Sequence, residues 1–95
     1  MGKKEIKDIL LKNLRIAEKY KIKSLFLFGS CVREEATEES DVDLLIEFKE
    51  PTFRNYVGCL REYQDLFGQK VDLVCRDSLK QRIRSFVLAE AEQVL

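Results

Sequence analysis

Three aspartates are the side chains of this sequence whose types and spacing are best suited to chemistry. Asp41 and Asp43 lie two residues apart in the alternating segment 41–48, and Asp72 lies in a similar segment, residues 70–75. If both segments are strands, Asp41 and Asp43 point to the same face with about 6.5–7 Å between them. A right-handed crossover would place Asp72 on the same face of the neighbouring strand, about 4.8 Å to the side.

Three neighbouring carboxylates repel one another, and without a counter-charge one of them would take up a proton. Divalent cations remove that penalty, because Mg²⁺ prefers oxygen ligands and is held by one or two carboxylates together with substrate phosphates. The cluster therefore suits a two-metal site for phosphoryl transfer, with the ions about 3.5–4 Å apart. The plainer interpretation is the solvated face of a sheet, since an Asp-x-Asp pair is common on exposed strands.

A glycine and a serine directly follow the first apolar segment, residues 24–28. Gly29 permits a positive φ and lets the backbone approach a phosphate closely. The Ser30 hydroxyl and the N–H groups of the loop can then donate to phosphate oxygens, helped by a helix N-terminus if residues 31–35 form a turn. Gly-Ser is ordinary turn chemistry by itself, and its spacing to the aspartates makes it a candidate nucleotide-binding loop.

The hydrophobic periodicity predicts the elements that must position these residues. In chain order they are a helix (residues 4–21), a strand (24–28), a loop (29–40), a strand (41–48), a helix (52–68), a strand (70–75) and a closing helical region from Ser78. Thr52 is suited to cap the middle helix and Gly68 to end it. The stretch from the second strand to the third is long enough for a parallel crossover.

Alternation also assigns the faces of the predicted sheet. Val42, Leu44 and Ile46 would face the helices, and the aspartates would lie on the opposite face. Leu45 and Val74 share that opposite face, where they either contact a partner or are covered by a loop or the terminal helix. The tyrosines are expected to be half-buried with hydrated hydroxyls. The expected inner residues of the last two helices are Phe53, Tyr56, Val57, Leu60, Gln64 and Phe67, then Leu79, Ile83, Phe86 and Val87.

Composition narrows the chemistry further. The 95 residues contain no histidine, which excludes Ser-His-Asp triads, Cys-His pairs and histidine-ligated zinc. The 17 basic and 17 acidic residues cancel, and residues 24–50 hold eight acids against two basic residues, which disfavours direct binding of nucleic acid. No apolar run is long enough for a membrane span. Cys31, Cys59 and Cys75 are expected to be reduced thiols of a cytoplasmic protein.

The combination of Gly29-Ser30, ten further residues and Asp41-Val42-Asp43 resembles the signature of the DNA polymerase β-like nucleotidyltransferase superfamily. The resemblance to its minimal nucleotidyltransferases covers nearly the whole chain, with the segment 71–74 matching the third acidic strand. It implies an α+β nucleotidyltransferase fold of the polymerase β palm type, a small mixed β-sheet with helices packed mainly on one face. Residues 1–95 would form a single nucleotidyltransferase domain.

The resemblance also implies roles for individual residues. Mg²⁺, expected as two ions, would be the cofactor and ATP the substrate. Asp72 would in addition assist deprotonation of the acceptor hydroxyl. Arg33 would contact phosphate or brace the loop. The implied catalytic and metal-binding residues are Asp41, Asp43 and Asp72, and the implied nucleotide-binding residues are Gly29, Ser30 and Arg33.

Many minimal nucleotidyltransferases are antitoxins that adenylylate a tyrosine of a small helical toxin of the HEPN type, so the resemblance implies such a partner. Two other functions stay open: neutralisation of the partner by contact alone and transfer to a small-molecule hydroxyl. Association of the chain into a homo-oligomer is also left open. The chain departs from the family pattern at Val32, where alanine is common, and at Glu34, where glycine is usual. A carboxylate at position 34 would weaken triphosphate binding unless it points to solvent.

Overall fold

The structure, a computed structural model, describes residues 2–29 and 42–95. The order of helices and strands along these residues is close to the order that the periodicity predicts. In chain order they are α1 (Lys3–Lys12), α2 (Leu14–Lys19), β1 (Ile22–Leu27), β2 (Val42–Phe48), α3 (Phe53–Phe67), β3 (Val71–Cys75), a 3₁₀ turn (Arg76–Ser78), α4 (Gln81–Glu90) and β4 (Glu92–Gln93). The predicted turn at residues 31–35 lies outside the described residues.

The strands form one mixed sheet in the order β3-β2-β1-β4. β1 is antiparallel to both β2 and β4, whereas β2 and β3 are parallel and joined through α3. A parallel pair needs such a crossover connection, which the segment between β2 and β3 supplies. The predicted α+β fold, a small mixed sheet with helices mainly on one face, is therefore confirmed.

The first predicted helix is divided into two helices at Asn13. Its side-chain amide donates to the Ile9 carbonyl at 2.7 Å, and its backbone leaves the helical region with φ −126° and ψ 43°. Asparagine competes with the helix by bonding the backbone locally, which accounts for the break. The apolar stripe is retained across it, because Ile6, Leu10 and Ile16 are all buried.

The core lies between the helices and one face of the sheet. Val42, Leu44 and Ile46 of β2 are buried there, together with residues of α1, α2 and α3. Alternation places Asp43, Leu45 and Glu47 on the other side. We call this side, which faces away from α1, α2 and α3, the open face.

The ends of α3 are the predicted ones. Thr52 Oγ1 accepts a hydrogen bond from the Asn55 N–H at 3.1 Å, and Gly68 ends the helix with φ +65°. The predicted inner position of Phe53 is wrong, because this side chain is 84% exposed. Phe53 is the first residue of α3 and lies at the margin of the buried stripe. That stripe is centred on Cys59, Tyr63 and Phe67.

The C-terminal region differs most from the prediction. None of the residues of α4 is buried, and Ile83 and Phe86 are 43% and 75% exposed, so their predicted inner positions are wrong. The amphipathic pattern identified a more apolar side of the helix, but α1, α2 and α3 already cover the core face of the sheet. The chain then adds β4, a strand that the sequence did not predict, beside β1.

Two further expectations concern cysteines and membranes. Cys59 is buried, Cys75 is half-buried, and both are free thiols, as expected, whereas Cys31 lies outside the described residues. Within residues 2–29 and 42–95, no helix combines the length and the apolar character that crossing a membrane requires.

Candidate active site

Asp43 and Asp72 are neighbours on the open face. The register of the parallel pair sets Val42 beside Val71, Asp43 beside Asp72 and Leu44 beside Leu73. Asp43 is half-buried and Asp72 is exposed. The sequence prediction that these two carboxylates lie side by side on adjacent strands is confirmed.

The end of β1 lies against Asp43. The Phe28 N–H donates to the Asp43 carbonyl at 3.3 Å, which extends the antiparallel ladder beyond β1. Gly29 then turns the chain with φ +66°, and a β-carbon at this position would lie only 2.6 Å from Oδ2 of Asp43. The glycine therefore allows the backbone to pass directly beside the carboxylate.

The strand directions explain why these residues meet at one edge. β1 ends where its antiparallel neighbour β2 begins, and β3 begins at the same edge because it is parallel to β2. The Val42 N–H donates to the Lys70 carbonyl at 2.9 Å, which fixes the start of β3 against the start of β2. A turn after β1 and the first side chains of β2 and β3 therefore converge.

The remaining predicted site residues, Ser30, Arg33 and Asp41, lie outside the described residues. The same is true of Val32 and Glu34, the positions at which the sequence departs from the family pattern. The roles of all of these residues stay predictions.

The open face is closed at its other end by a charged cluster around Glu47. Its carboxylate accepts a hydrogen bond from the Ser24 hydroxyl at 3.2 Å and pairs with Arg76 at 3.6 Å and Lys23 at 4.0 Å. The Arg76 guanidinium also lies 5.9 Å from the centre of the Phe26 ring. These partners compensate the Glu47 charge at this end of the face.

Between the two ends the open face is apolar. Leu45 is fully buried, and its neighbour Val74 is half-buried. Of the two interpretations of Leu45, burial within the chain is thus the one that the structure confirms. Within residues 2–29 and 42–95, the accessible acidic part of this face consists of Asp43 and Asp72.

Two polar side chains of α3 were not predicted to contact the site strands. The Tyr56 hydroxyl donates to the Leu73 carbonyl at 2.6 Å, and Oε1 of Gln64 accepts from the Val71 N–H at 3.3 Å. The only sequence signal was their place on the inner side of the predicted helix. The expectation of a hydrated hydroxyl is wrong for Tyr63, which is fully buried with no hydrogen-bond partner among the described residues.

The sequence of this chain is similar to those of known proteins whose family fits this arrangement of residues. Residues 4–94 match the family model described as the nucleotidyltransferase domain. The chain belongs to the nucleotidyltransferase domain family. The predicted resemblance and the predicted class of enzyme are both confirmed.

Relatives of this nucleotidyltransferase include the protein adenylyltransferase MntA of Thermococcus cleftensis. It is 38% identical over 92 residues, which cover 95% of this chain and 93% of the relative. A protein of Methanocaldococcus jannaschii, provisionally named a protein adenylyltransferase, is 46% identical over 79 residues, or 79% of each chain. The similarity therefore extends over most of both proteins.

Solved structures share the fold. A protein provisionally identified as a minimal nucleotidyltransferase superimposes with a TM-score of 0.83 and 32% identity, covering 96% of this chain and 94% of the other. A toxin–antitoxin complex with AMP-PNP gives a TM-score of 0.75 at 17% identity, covering 94% and 72%. The tri-AMPylated HEPN toxin of Shewanella oneidensis in complex with an MNT antitoxin gives 0.66 at 17%, covering 92% and 69%. The last two similarities show the fold alone.

The carboxylates of this nucleotidyltransferase fit a hard divalent cation. Among the described residues no group of three or more His, Cys, Asp or Glu side chains could hold a metal ion. Asp43 and Asp72 nevertheless lie in register on adjacent strands. Mg²⁺ commonly takes only one or two carboxylates and completes its coordination with water and substrate phosphates. The donor set is therefore suited to a nucleotide-bound Mg²⁺ and lacks the nitrogen or sulfur ligands that zinc sites favour.

Proposed function

We propose that this chain is a Mg²⁺-dependent protein adenylyltransferase that transfers AMP from ATP to a hydroxyl of a partner protein. One observation carries the proposal. Asp43 and Asp72 lie in register on parallel strands, and Gly29 passes directly beside Asp43. Two carboxylates beside a close backbone turn can serve a triphosphate and its metal ions together.

The comparisons support the choice of nucleotide and acceptor. A relative of nearly the same length is named a protein adenylyltransferase. Among the solved structures with this fold, one toxin–antitoxin complex contains AMP-PNP, and one contains an AMPylated HEPN toxin. We therefore propose ATP as the donor and a small helical HEPN-type toxin as the partner. A tyrosine of that toxin is proposed as the acceptor on the basis of the family resemblance of the sequence.

Each site residue has a proposed role. Asp41, Asp43 and Asp72 would hold the Mg²⁺ ions, and Gly29, Ser30 and Arg33 would hold the triphosphate. When bound, Mg²⁺ would neutralise charge on the phosphates and on the departing pyrophosphate. Asp72 is the exposed member of the described pair, so it is the carboxylate that an incoming acceptor can reach.

The proposed reaction forms one bond and breaks one bond. The acceptor oxygen attacks the α-phosphorus of ATP and forms a new O–P bond. The bond from that phosphorus to the oxygen bridging the α- and β-phosphates breaks, and its electron pair leaves with pyrophosphate. The acceptor proton passes to a carboxylate oxygen of Asp72, which acts as the general base.

The proposal also explains why the acceptor comes from another molecule. The Glu47 cluster and the buried Leu45 occupy the rest of the open face beyond Asp43 and Asp72. A cavity of about 290 Å³ is lined by residues such as Arg15, Glu62 and Asp65, away from the open face. Residues 1–95 would act as one domain that receives the acceptor from solution.

The test is transfer of label from [α-³²P]ATP to the protein encoded by the neighbouring reading frame, with and without Mg²⁺. We expect labelled partner with the wild type and a loss of at least about 100-fold with Asp43→Asn. Asp8→Asn, at an exposed aspartate of α1, is the matched control and should retain full transfer. Mass spectrometry of the partner identifies the modified residue.

Two results would reject the proposal. One is a partner that stays unlabelled at every Mg²⁺ and ATP concentration. The other is an Asp43→Asn variant that still suppresses the toxicity of the partner as well as the wild type does. The second result would favour neutralisation by contact.

A further inference from the structure

The outer edge of β3 is paired with α3 instead of another strand. β3 is the last strand of the sheet and has β2 on one side only. Because the Lys70 carbonyl bonds to β2, the alternation of a parallel ladder turns the backbone groups of Val71 and Leu73 away from β2. Backbone groups that turn away from the sheet and into the protein need partners of their own.

Two side chains of α3 supply these partners. Oε1 of Gln64 accepts from the Val71 N–H at 3.3 Å, and the Tyr56 hydroxyl donates to the Leu73 carbonyl at 2.6 Å. Asp72 lies between these two residues. The backbone is therefore held immediately before and immediately after the candidate base.

The Tyr56 hydroxyl is suited to be a permanent donor. It is half-buried beneath the sheet, and this burial is the main cause that raises its pKa, with Cys75, Asp72 and Cys59 adding to the effect in that order. A raised pKa keeps the phenol protonated across the neutral range. The bond to Leu73 thus persists at any pH at which the enzyme would work.

We propose that Tyr56 and Gln64 are positioning residues that set where the Asp72 carboxylate lies beside Asp43. This inference rests on the proposed function, in which Asp72 accepts the acceptor proton. Both side chains reach the backbone of β3 from α3, on the core side of the sheet, whereas Asp72 points to the open face. They therefore act through Asp72 and touch neither nucleotide nor acceptor.

The expected effect of losing either bond is on rate. An edge strand released from its outer partners can shift against its neighbour, and a small misplacement of a reacting group costs up to about 100-fold in rate. Nucleotide binding would change less than the rate, because Asp72 is the only one of the described nucleotide and metal contacts that lies on β3, whereas Gly29 and Asp43 belong to the β1–β2 pair.

The first test compares two tyrosines of the same helix. Tyr56→Phe removes the donor to Leu73, and Tyr63→Phe removes a hydroxyl that has no partner among the described residues. We expect Tyr56→Phe to lower kcat for AMP transfer about tenfold, with KM for ATP within about twofold, and Tyr63→Phe to leave both unchanged. Equal effects of the two substitutions would overturn the inference.

The second test uses Gln64. Gln64→Met removes the acceptor for the Val71 N–H, whereas Gln64→Glu keeps an acceptor oxygen there. We expect Gln64→Met to lower kcat about tenfold and Gln64→Glu to retain most of the wild-type kcat. A Gln64→Glu variant as slow as Gln64→Met would overturn the role of this bond.

A double-mutant cycle distinguishes positioning from general destabilisation. In an Asp72→Asn background there is no carboxylate left to position, so Tyr56→Phe should have no further effect on the residual rate. If Tyr56→Phe slows the wild type and the Asp72→Asn variant by the same factor, the tyrosine does not act through Asp72 and the inference is wrong.

Amide hydrogen exchange tests the inference by a measurement that does not depend on enzymatic activity. Exchange of the Val71 amide, measured by NMR in nucleotide-free protein, should become faster in Gln64→Met and stay close to wild type in Gln64→Glu. Unchanged exchange of the Val71 amide in Gln64→Met would overturn the inference even if the enzyme is active. If the wild type transfers no AMP, the proposed function fails and the positioning role falls with it. Transfer by the wild type with unaffected Tyr56 and Gln64 variants rejects the positioning role alone.

Discussion

A β-carbon on Gly29 would lie 2.6 Å from Oδ2 of Asp43, closer than the two atoms can approach without one of them moving. The backbone at Gly29 also has φ +66°, a conformation that residues with a β-carbon adopt at a cost. The turn after β1 therefore depends on glycine for two separate reasons, and one of them concerns a candidate catalytic side chain.

Gly29→Ala should consequently affect AMP transfer as well as stability, because the added β-carbon contacts the Asp43 carboxylate in addition to straining the backbone. Gly68 is the matched control, because its φ is +65° but a β-carbon added there would have no atom within 4 Å. Both substitutions should cost about 1–2 kcal/mol of unfolding free energy, measured by urea titration. Only Gly29→Ala should also lower AMP transfer, by about tenfold or more, because it displaces the Asp43 carboxylate. Equal transfer by the two variants would show that Asp43 tolerates the displacement.

Metal should stabilise the native chain through Asp43 and Asp72. Like charges on directly neighbouring strand positions are destabilising by roughly 0.2–1 kcal/mol, so Asp72→Asn should raise or preserve Tm in metal-free buffer. Addition of Mg²⁺ with a non-hydrolysable ATP analogue should raise the Tm of the wild type. It should raise that of Asp72→Asn much less. An equal shift in both proteins would mean that Asp72 takes no part in binding the metal.

Cys59 should make stability depend on pH at the alkaline end. Burial, assisted by Glu62 and Cys75, raises the pKa of its thiol from 9.0 to about 12. The folded state holds the thiol proton more tightly than the unfolded state does. The stabilisation that Cys59 contributes to the folded state is therefore fully present below pH 9 and is lost as pH rises towards 12. Unfolding free energy should fall by up to about 1.4 kcal/mol per pH unit in that interval.

The matched variant for this measurement is Cys59→Ala, which should remove that part of the alkaline slope and leave the contributions of other groups in place. Iodoacetamide should likewise fail to alkylate Cys59 in the native protein at about pH 8, since the thiol is buried and protonated. Rapid alkylation of native protein at Cys59 would contradict this arrangement.

Gly58 should be required for the contact between α2 and α3. A β-carbon there would meet the Tyr20 ring, with Cζ at 2.8 Å. Gly58→Ala should therefore destabilise the protein by about 1–3 kcal/mol although alanine is the better helix former. The same substitution in a Tyr20→Ala background should be neutral or stabilising, because the obstructing ring is gone. A cost that is unchanged in the double variant would exclude Tyr20 as its cause.

Sequence patterns predicted those parts of the fold that depend on local chemistry. Alternation identified the buried side of β2, and Thr52 and Gly68 marked the ends of α3, because each of these features is determined by residues close in sequence. The pairing of Asp43 with Asp72 was also predictable, since a crossover between two alternating strands leaves few registers that bury both apolar faces.

Features that depend on distant contacts were not predictable in the same way. β4 has two residues, too few for any alternation to be visible. The exposure of Phe86 depends on whether an element exists for α4 to pack against, which its own sequence does not encode. The bonds from Tyr56 and Gln64 to β3 depend on how α3 is placed along the strand. Asp41, Ser30 and Arg33 remain predictions from the resemblance.

The place of β3 at the rim of the sheet has a kinetic consequence for the proposed enzyme. Gly29 adjoins Asp43 from the β1 side, whereas Asp72 stands exposed on the terminal strand, so donor and acceptor would approach from opposite flanks. Neither substrate would then obstruct the route of the other. We expect a random order of addition. A toxin that is already docked should be modified when ATP arrives afterwards, and enzyme already loaded with ATP should modify toxin that is added later.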